Sequence, residues 1–131
     1  SILRGMKILL AEDNEINMEI AEFILTSKGA EVTTACNGLE AIDKFEASEP
    51  GYFDLVLMDI MMPVMDGLEA AGRIRAMKRS DAADVPIFAM TANAFSDDAQ
   101  RSRQAGMNEH LTKPLDSEAL VKMILKYTHK G

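Results

Sequence analysis

The feature that most restricts this chain is an alternation of five short apolar runs with longer stretches whose apolar residues recur at intervals of three and four. Residues 7–11, 31–35, 55–58, 86–91 and 110–112 have the length and composition of strands, and 17–28, 39–48, 67–77, 97–105 and 117–126 carry the helical period. In the first helix the stripe is Ile20, Ala21, Phe23 and Ile24; in the last it is Leu120, Met123 and Ile124. Gly29 and Gly106 stand where a left-handed residue closes a helix, and Ser96 and Ser117 stand where a hydroxyl would cap the next one. Parallel neighbours need long crossover connections, so this order predicts an α/β fold: a doubly wound, mostly parallel five-stranded sheet with five helices over both faces. Runs 8–10 and 55–58 are apolar without a break, as central strands buried on both faces require.

In such sheets, ligands bind beyond the carboxyl ends of the strands. Glu12 and Asp13 follow the first strand, Asp59 the third, Thr91 closes the fourth and Lys113 follows the fifth. With strand order 2-1-3-4-5 the first and third strands are neighbours, and the three acids share one crevice flanked by Thr91 and Lys113. Carboxylates about 4 Å apart repel by roughly 4 kcal/mol at an effective dielectric near 20, so a positive charge has to hold them. A hard divalent cation with oxygen ligands, Mg²⁺ or alternatively Mn²⁺, needs no histidine or cysteine. The set suits an acyl-phosphate site: Asp59 as nucleophile, the metal and Lys113 neutralising the phosphoryl group, and the Thr91 hydroxyl donating to it. Ala92, being small, leaves room for the donor.

Composition narrows the partners. At 131 residues, 47% hydrophobic and 27% charged, the chain has the size and balance of one globular domain, with residues 6–131 as the domain and 1–5 as a linker tail or cloning remnant. A net charge of -7 argues against direct binding to nucleic acid or an anionic membrane. The one cluster of cations, Arg73, Arg75, Lys78 and Arg79, reads as a solvated helix end. Cys36 is the only cysteine; a buried structural thiol in a reducing, cytoplasmic compartment is the expectation. No run approaches the roughly 20 apolar residues of a membrane span, so a soluble domain is expected, whether or not a parent protein is membrane-anchored.

Four stretches, Ile8 to Asn14, Leu57 to Gly67, Met90 to Ala92 and Leu111 to Pro114, resemble the receiver domain of two-component response regulators, in order and each at a strand end. The resemblance covers about residues 7–126 and implies a flavodoxin-like fold. It also implies that Asp59 is the phosphoacceptor, that Asp13 and Asp59 bind the metal directly together with the backbone carbonyl of Met61, and that Glu12 reaches the metal through water. It implies a cis bond before Pro114, a phosphohistidine on a histidine kinase or phosphotransfer domain as donor, and movement of Thr91 toward the phosphoryl group. The family couples that movement to an aromatic switch ring on the fifth strand; here the position is His110, a smaller and titratable ring. Met61 and Asn93 occupy positions that in this family tune phosphoryl lifetime.

Ala11 to Asn17, Met90 to Phe95 and Ala105 to His110 are most similar to receivers attached to hybrid sensor kinases, which implies a relay module rather than a DNA-binding effector. The domain alone is not expected to turn over a substrate, beyond promoting its own Mg²⁺-dependent phosphorylation and dephosphorylation. A free-standing response regulator acting through partner binding is the alternative. An aspartyl-phosphate phosphatase would carry a second acid two residues after the nucleophile, where this chain has Met61. An FMN binder would need a Ser/Thr/Gly cradle in the acidic first loop. Met61, Met62 and Met65 read as core and loop packing more than as a docking surface. Pairing with a second copy through the third helix or the fourth and fifth stays open.

Overall fold

The computed structural model describes residues 2–92 and 96–128, without the side chains of 96–99 and 128. Its elements run β1 (Lys7–Ala11), α1 (Glu15–Ser27), β2 (Glu31–Ala35), α2 (Gly38–Ala47), β3 (Leu55–Asp59), α3 (Gly67–Arg75), β4 (Ile87–Thr91), α4 (Ser96–Gln104), β5 (Glu109–Thr112) and α5 (Ser117–Thr128). The sheet has the order β2-β1-β3-β4-β5, and every pair is parallel. Among the described residues no helix is long and apolar enough to cross a membrane.

Successive strand residues face opposite sides, and the central strands divide the core accordingly. Leu9, Val56, Met58, Ile87 and Ala89 pack with Phe45 of α2 and Ile74 of α3. Ile8, Leu10, Leu55, Leu57, Phe88 and Met90 pack with Leu25 of α1 and Leu120 and Ile124 of α5. Both faces of β1, β3 and β4 are thus covered, which fixes their register: a one-residue slip would exchange the two apolar sets. Leu3, ahead of β1, is buried with the α1/α5 set, and its amide donates to the Lys28 carbonyl at 2.8 Å.

Helix ends follow local chemistry. The side chains of Asn14, Asn37 and Asp66 cap α1, α2 and α3, accepting from the amides of Asn17, Glu40 and Glu69. The Asn14 cap starts α1 two residues before the expected Asn17. Gly29 and Gly106 take φ of 99° and 97° just after α1 and α4, as their positions predict. Ser117 is not a cap. The Glu118 amide donates to Asp116 Oδ1 and the Leu120 amide to the Asp116 carbonyl, so Asp116 occupies the cap and Ser117 opens the helix. The side chain of Ser96 and all of Asn93 lie outside the described residues.

Two other expectations fail. Cys36 is exposed, because it stands one residue beyond the edge strand β2, whose last residue Ala35 is the one that points into the core. Nor are the cations after α3 simply solvated. Arg75 donates to the carbonyls of Gly106, Ala82 and Val85 and to Asn108 Oδ1 at 2.7–3.1 Å. Arg79 lies over the Phe45 ring at 4.4 Å and pairs with Asp81 at 2.6 Å. Both guanidinium groups stitch the end of α3 to segments distant in sequence, leaving Arg73 and Lys78 as the exposed pair. Met62 and Met65 pack against the core, whereas Met61 is exposed.

Candidate phosphoacceptor site

The carboxyl ends of β1, β3, β4 and β5 build one crevice. Glu12 extends β1, its amide donating to the Ala35 carbonyl of β2 at 3.0 Å. Asp59 is the last residue of β3, opposite Met90 of β4, and the Ile60 amide continues the ladder to the Met90 carbonyl. Thr91 ends β4 and is buried; its carbonyl accepts from the Lys113 amide at 2.8 Å, so the fifth-strand loop hangs from the fourth strand. The Lys113–Pro114 bond is cis.

Close approach at two glycines sets the β3–α3 loop. Gly67 donates to the Ile60 carbonyl at 2.9 Å, and a Cβ there would stand 2.2 Å from the Asp59 carbonyl oxygen. Gly38, opening α2, donates to the Met65 carbonyl at 3.0 Å, where a Cβ would stand 2.4 Å from that oxygen. A side chain at Gly67 would displace the backbone of Asp59 itself, and one at Gly38 the backbone of Met65 and Asp66.

Glu12, Asp13 and Asp59 each offer an oxygen, and these atoms lie within 4.8 Å of one another. Glu12 and Asp59 are each 3% exposed; Asp13 is open to solvent. Lys113 Nζ bridges the two buried acids, 3.0 Å from Glu12 Oε1 and 2.9 Å from Asp59 Oδ2. The Asn14 amide donates to Glu12 Oε2 at 3.1 Å and the Met61 amide to Asp59 Oδ1 at 3.3 Å. Burial raises the Glu12 pKa, with Asp59 adding to it and Lys113 and the Asn14 amide opposing. Burial alone would lower that of Lys113, but hydrogen bonds to Asp59 and Glu12 outweigh it and the net shift is upward.

Three carboxylates and one ammonium leave two negative charges when all are ionised, in an oxygen-only donor set with one acid facing solvent. That chemistry fits a hard divalent cation. Ala92 is exposed beside Thr91, and the Met61 side chain points to solvent. His110 is half-buried on β5 opposite Ala89, one strand removed from the acids. Sequence reading missed the Asn14 amide and the two glycines; the small residue after each loop was the only signal for the latter. The bridge that Lys113 makes between the two buried acids is a further contact that sequence reading did not foresee.

Comparison with known proteins places this geometry. The response regulator receiver domain family matches residues 8–125. A hybrid signal transduction histidine kinase of Dictyostelium discoideum is 35% identical over 120 residues, covering 90% of this chain and 7% of its own length. The chain spans only 6% to 14% of the length of the curated relatives it matches. The receiver domain of the sensor histidine kinase PA1611 from Pseudomonas aeruginosa PAO1, solved with a magnesium ion in its active-site cleft, is 37% identical with a TM-score of 0.86, covering 96% of this chain and 99% of that one. The receiver domain of Ssk1 from Saccharomyces cerevisiae, solved with the histidine phosphotransfer protein Ypd1, is 33% identical with a TM-score of 0.83, covering 95% and 90%. With the strand order, the acidic crevice and a family match spanning the sheet from β1 to α5 all in agreement, the chain belongs to the receiver domains of two-component response regulators.

Proposed function

We propose that this receiver takes a phosphoryl group from a phosphohistidine onto Asp59 and passes it onward as the relay module of a hybrid histidine kinase. The observation that carries the reading is the convergence of Glu12, Asp13 and Asp59 within 4.8 Å, bridged by a lysine from the fifth strand. An Asp59 oxygen attacks phosphorus, the P–N bond breaks, and its electron pair returns to the donor imidazole, so no water is consumed. A bound Mg²⁺ or Mn²⁺ would supply charge neutralisation on the phosphoryl oxygens. Asp13, Asp59 and the Met61 carbonyl are the residues to hold it, with Glu12 acting through water. Lys113 exchanges its contact with Asp59 for a phosphoryl oxygen, the Thr91 hydroxyl donates to another, and Ala92 leaves the approach open. The cis peptide before Pro114 belongs to the turn that carries Lys113, and His110 is the ring that responds when Thr91 moves.

The partner surface is adjacent. Ile16, Ile20 and Phe23 form an exposed apolar stripe on α1, and Ile20 shares a crevice with Glu12 and Lys113. Such a stripe suits an apolar helical surface on the kinase or phosphotransfer domain. The single cysteine is consistent with work in the cytoplasm. Intact mass spectrometry with acetyl phosphate and Mg²⁺ tests the reading: one added phosphoryl group on the wild type, none with chelator, and none on Asp59→Asn. Labelling of Asp59→Asn to the wild-type extent would move the acceptor elsewhere.

A further inference from the structure

Val64 is the one non-glycine residue with positive φ among the described residues, at 69°. For a β-branched side chain this is a true outlier, since Cβ crowds the neighbouring carbonyl. The Met65 amide donates back to the Pro63 carbonyl at 2.7 Å, closing a three-residue turn of the rare, strained hand. The turn is held from both sides. Met65 accepts from Gly38, which approaches too closely for any side chain, and Asp66 and Gly67 are fixed by the α3 cap and the Ile60 carbonyl. Backbone strain persists only where its surroundings over-determine it, and it gathers at functional positions.

The side chain so held adds little to the core: Val64 is 76% exposed, as is Met61. Asp59, a few residues before them, is almost wholly buried. A donor histidine must bring its ring down to that carboxylate, so the protein surface around the histidine has to cover the β3–α3 loop. A small donor such as acetyl phosphate has no surface to do so.

We infer that Val64 is a docking and specificity residue for protein donors: the strained turn holds its isopropyl group outward as an apolar contact for the domain that bears the phosphohistidine. This rests on the relay reading above and deepens it. The turn spends conformational stability to present a side chain that only a macromolecular partner can use.

The test uses Val64→Asn, which tolerates positive φ and removes the apolar group, and Val64→Ile, which keeps branching and apolarity. Each chain is offered acetyl phosphate and, separately, a panel of phosphorylated phosphotransfer domains beginning with Ypd1, rates being measured with the first that phosphorylates the wild type. Transfer to Val64→Asn is expected to slow by roughly tenfold or more, as loss of an interface anchor does. Val64→Ile stays near wild type, acetyl phosphate labels all three at similar rates, and the Tm of Val64→Asn rises by about 2–4 °C as strain is released. Wild-type transfer rates in Val64→Asn would overturn the inference. So would equal losses with both donor classes, which would make the turn a support for the acceptor. A wild type that labels with acetyl phosphate yet accepts from no member of the panel would sink the relay reading itself.

Discussion

Replacing Lys113 by methionine keeps the length of the side chain and deletes the charge that stands 2.9 Å from Asp59 and 3.0 Å from Glu12. At an effective dielectric near 20 a contact of that length is worth about 5–6 kcal/mol before desolvation is subtracted. Stripping one partner from a buried pair costs about 3–5 kcal/mol. The lower end, about 3 kcal/mol, applies here, because the Lys113 side chain keeps 17% exposure and the leftover charge can be relieved by a proton. That proton goes to Glu12, whose pKa burial already raises and which loses the opposing Lys113 contact in the variant. The deficit therefore shrinks as pH falls toward the raised Glu12 pKa. At the alkaline end the sign reverses in origin. Lys113 has a folded pKa above its ordinary value of 10.5, so its stabilisation is complete below that value and is lost as pH rises through the folded pKa. Urea denaturation in chelator from about pH 4 to about pH 11.5, with unchanged m-values, measures both limbs. A Lys113→Met chain within about 0.5 kcal/mol of wild type at pH 7.5 would refute the view that this lysine holds the two acids together.

Gly67→Ala would place a methyl group 2.2 Å from the Asp59 carbonyl, costing about 1–3 kcal/mol. It should slow acetyl phosphate labelling roughly tenfold or more by displacing the nucleophile. Gly72→Ala, which meets nothing within 4 Å in the middle of α3, serves as control and should gain about 0.5–1 kcal/mol. Asp81 accepts from Arg79 and from the Gly51 amide; burial pushes its pKa up, but these contacts win and hold it below its ordinary value. Its contribution is present above pH 4 and is lost as pH falls through the depressed pKa. Asp81→Asn should thus be less stable by about 2 kcal/mol at neutral pH and converge on wild type as pH falls through that depressed pKa, as read by acid-limb denaturation curves.

The five strands and the positions of Glu12, Asp13, Asp59, Thr91 and Lys113 were legible because they depend on periodicity and on the residues at the carboxyl end of each apolar run, whereas the order 2-1-3-4-5 was a condition that periodicity does not supply. These signals are local in sequence, and the parallel sheet converts them into proximity. Arg75 and Arg79 were not legible. Their helical spacing matches that of any charged helix end, while the carbonyls that receive them come from Phe45, Ala82, Val85 and Gly106. Cys36 was misplaced for a related reason: hydrophobic composition says that a residue can be buried, but the end of an edge strand decides that it is not. The strain at Val64 had no sequence signal, since Pro63, Val64 and Met65 are ordinary loop residues until Gly38 arrives from another loop to hold them.

The Arg75 guanidinium also has a mechanical meaning. It ties α3 to Val85, Gly106 and Asn108, and Asn108 Oδ1 in turn accepts the Ile87 amide, all at the amino ends of β4 and β5. Thr91 and Lys113 stand at the opposite tips of those strands. The guanidinium thus anchors the end of the strand pair that lies away from the crevice, and Thr91 and Lys113 are held in place through the full length of their strands.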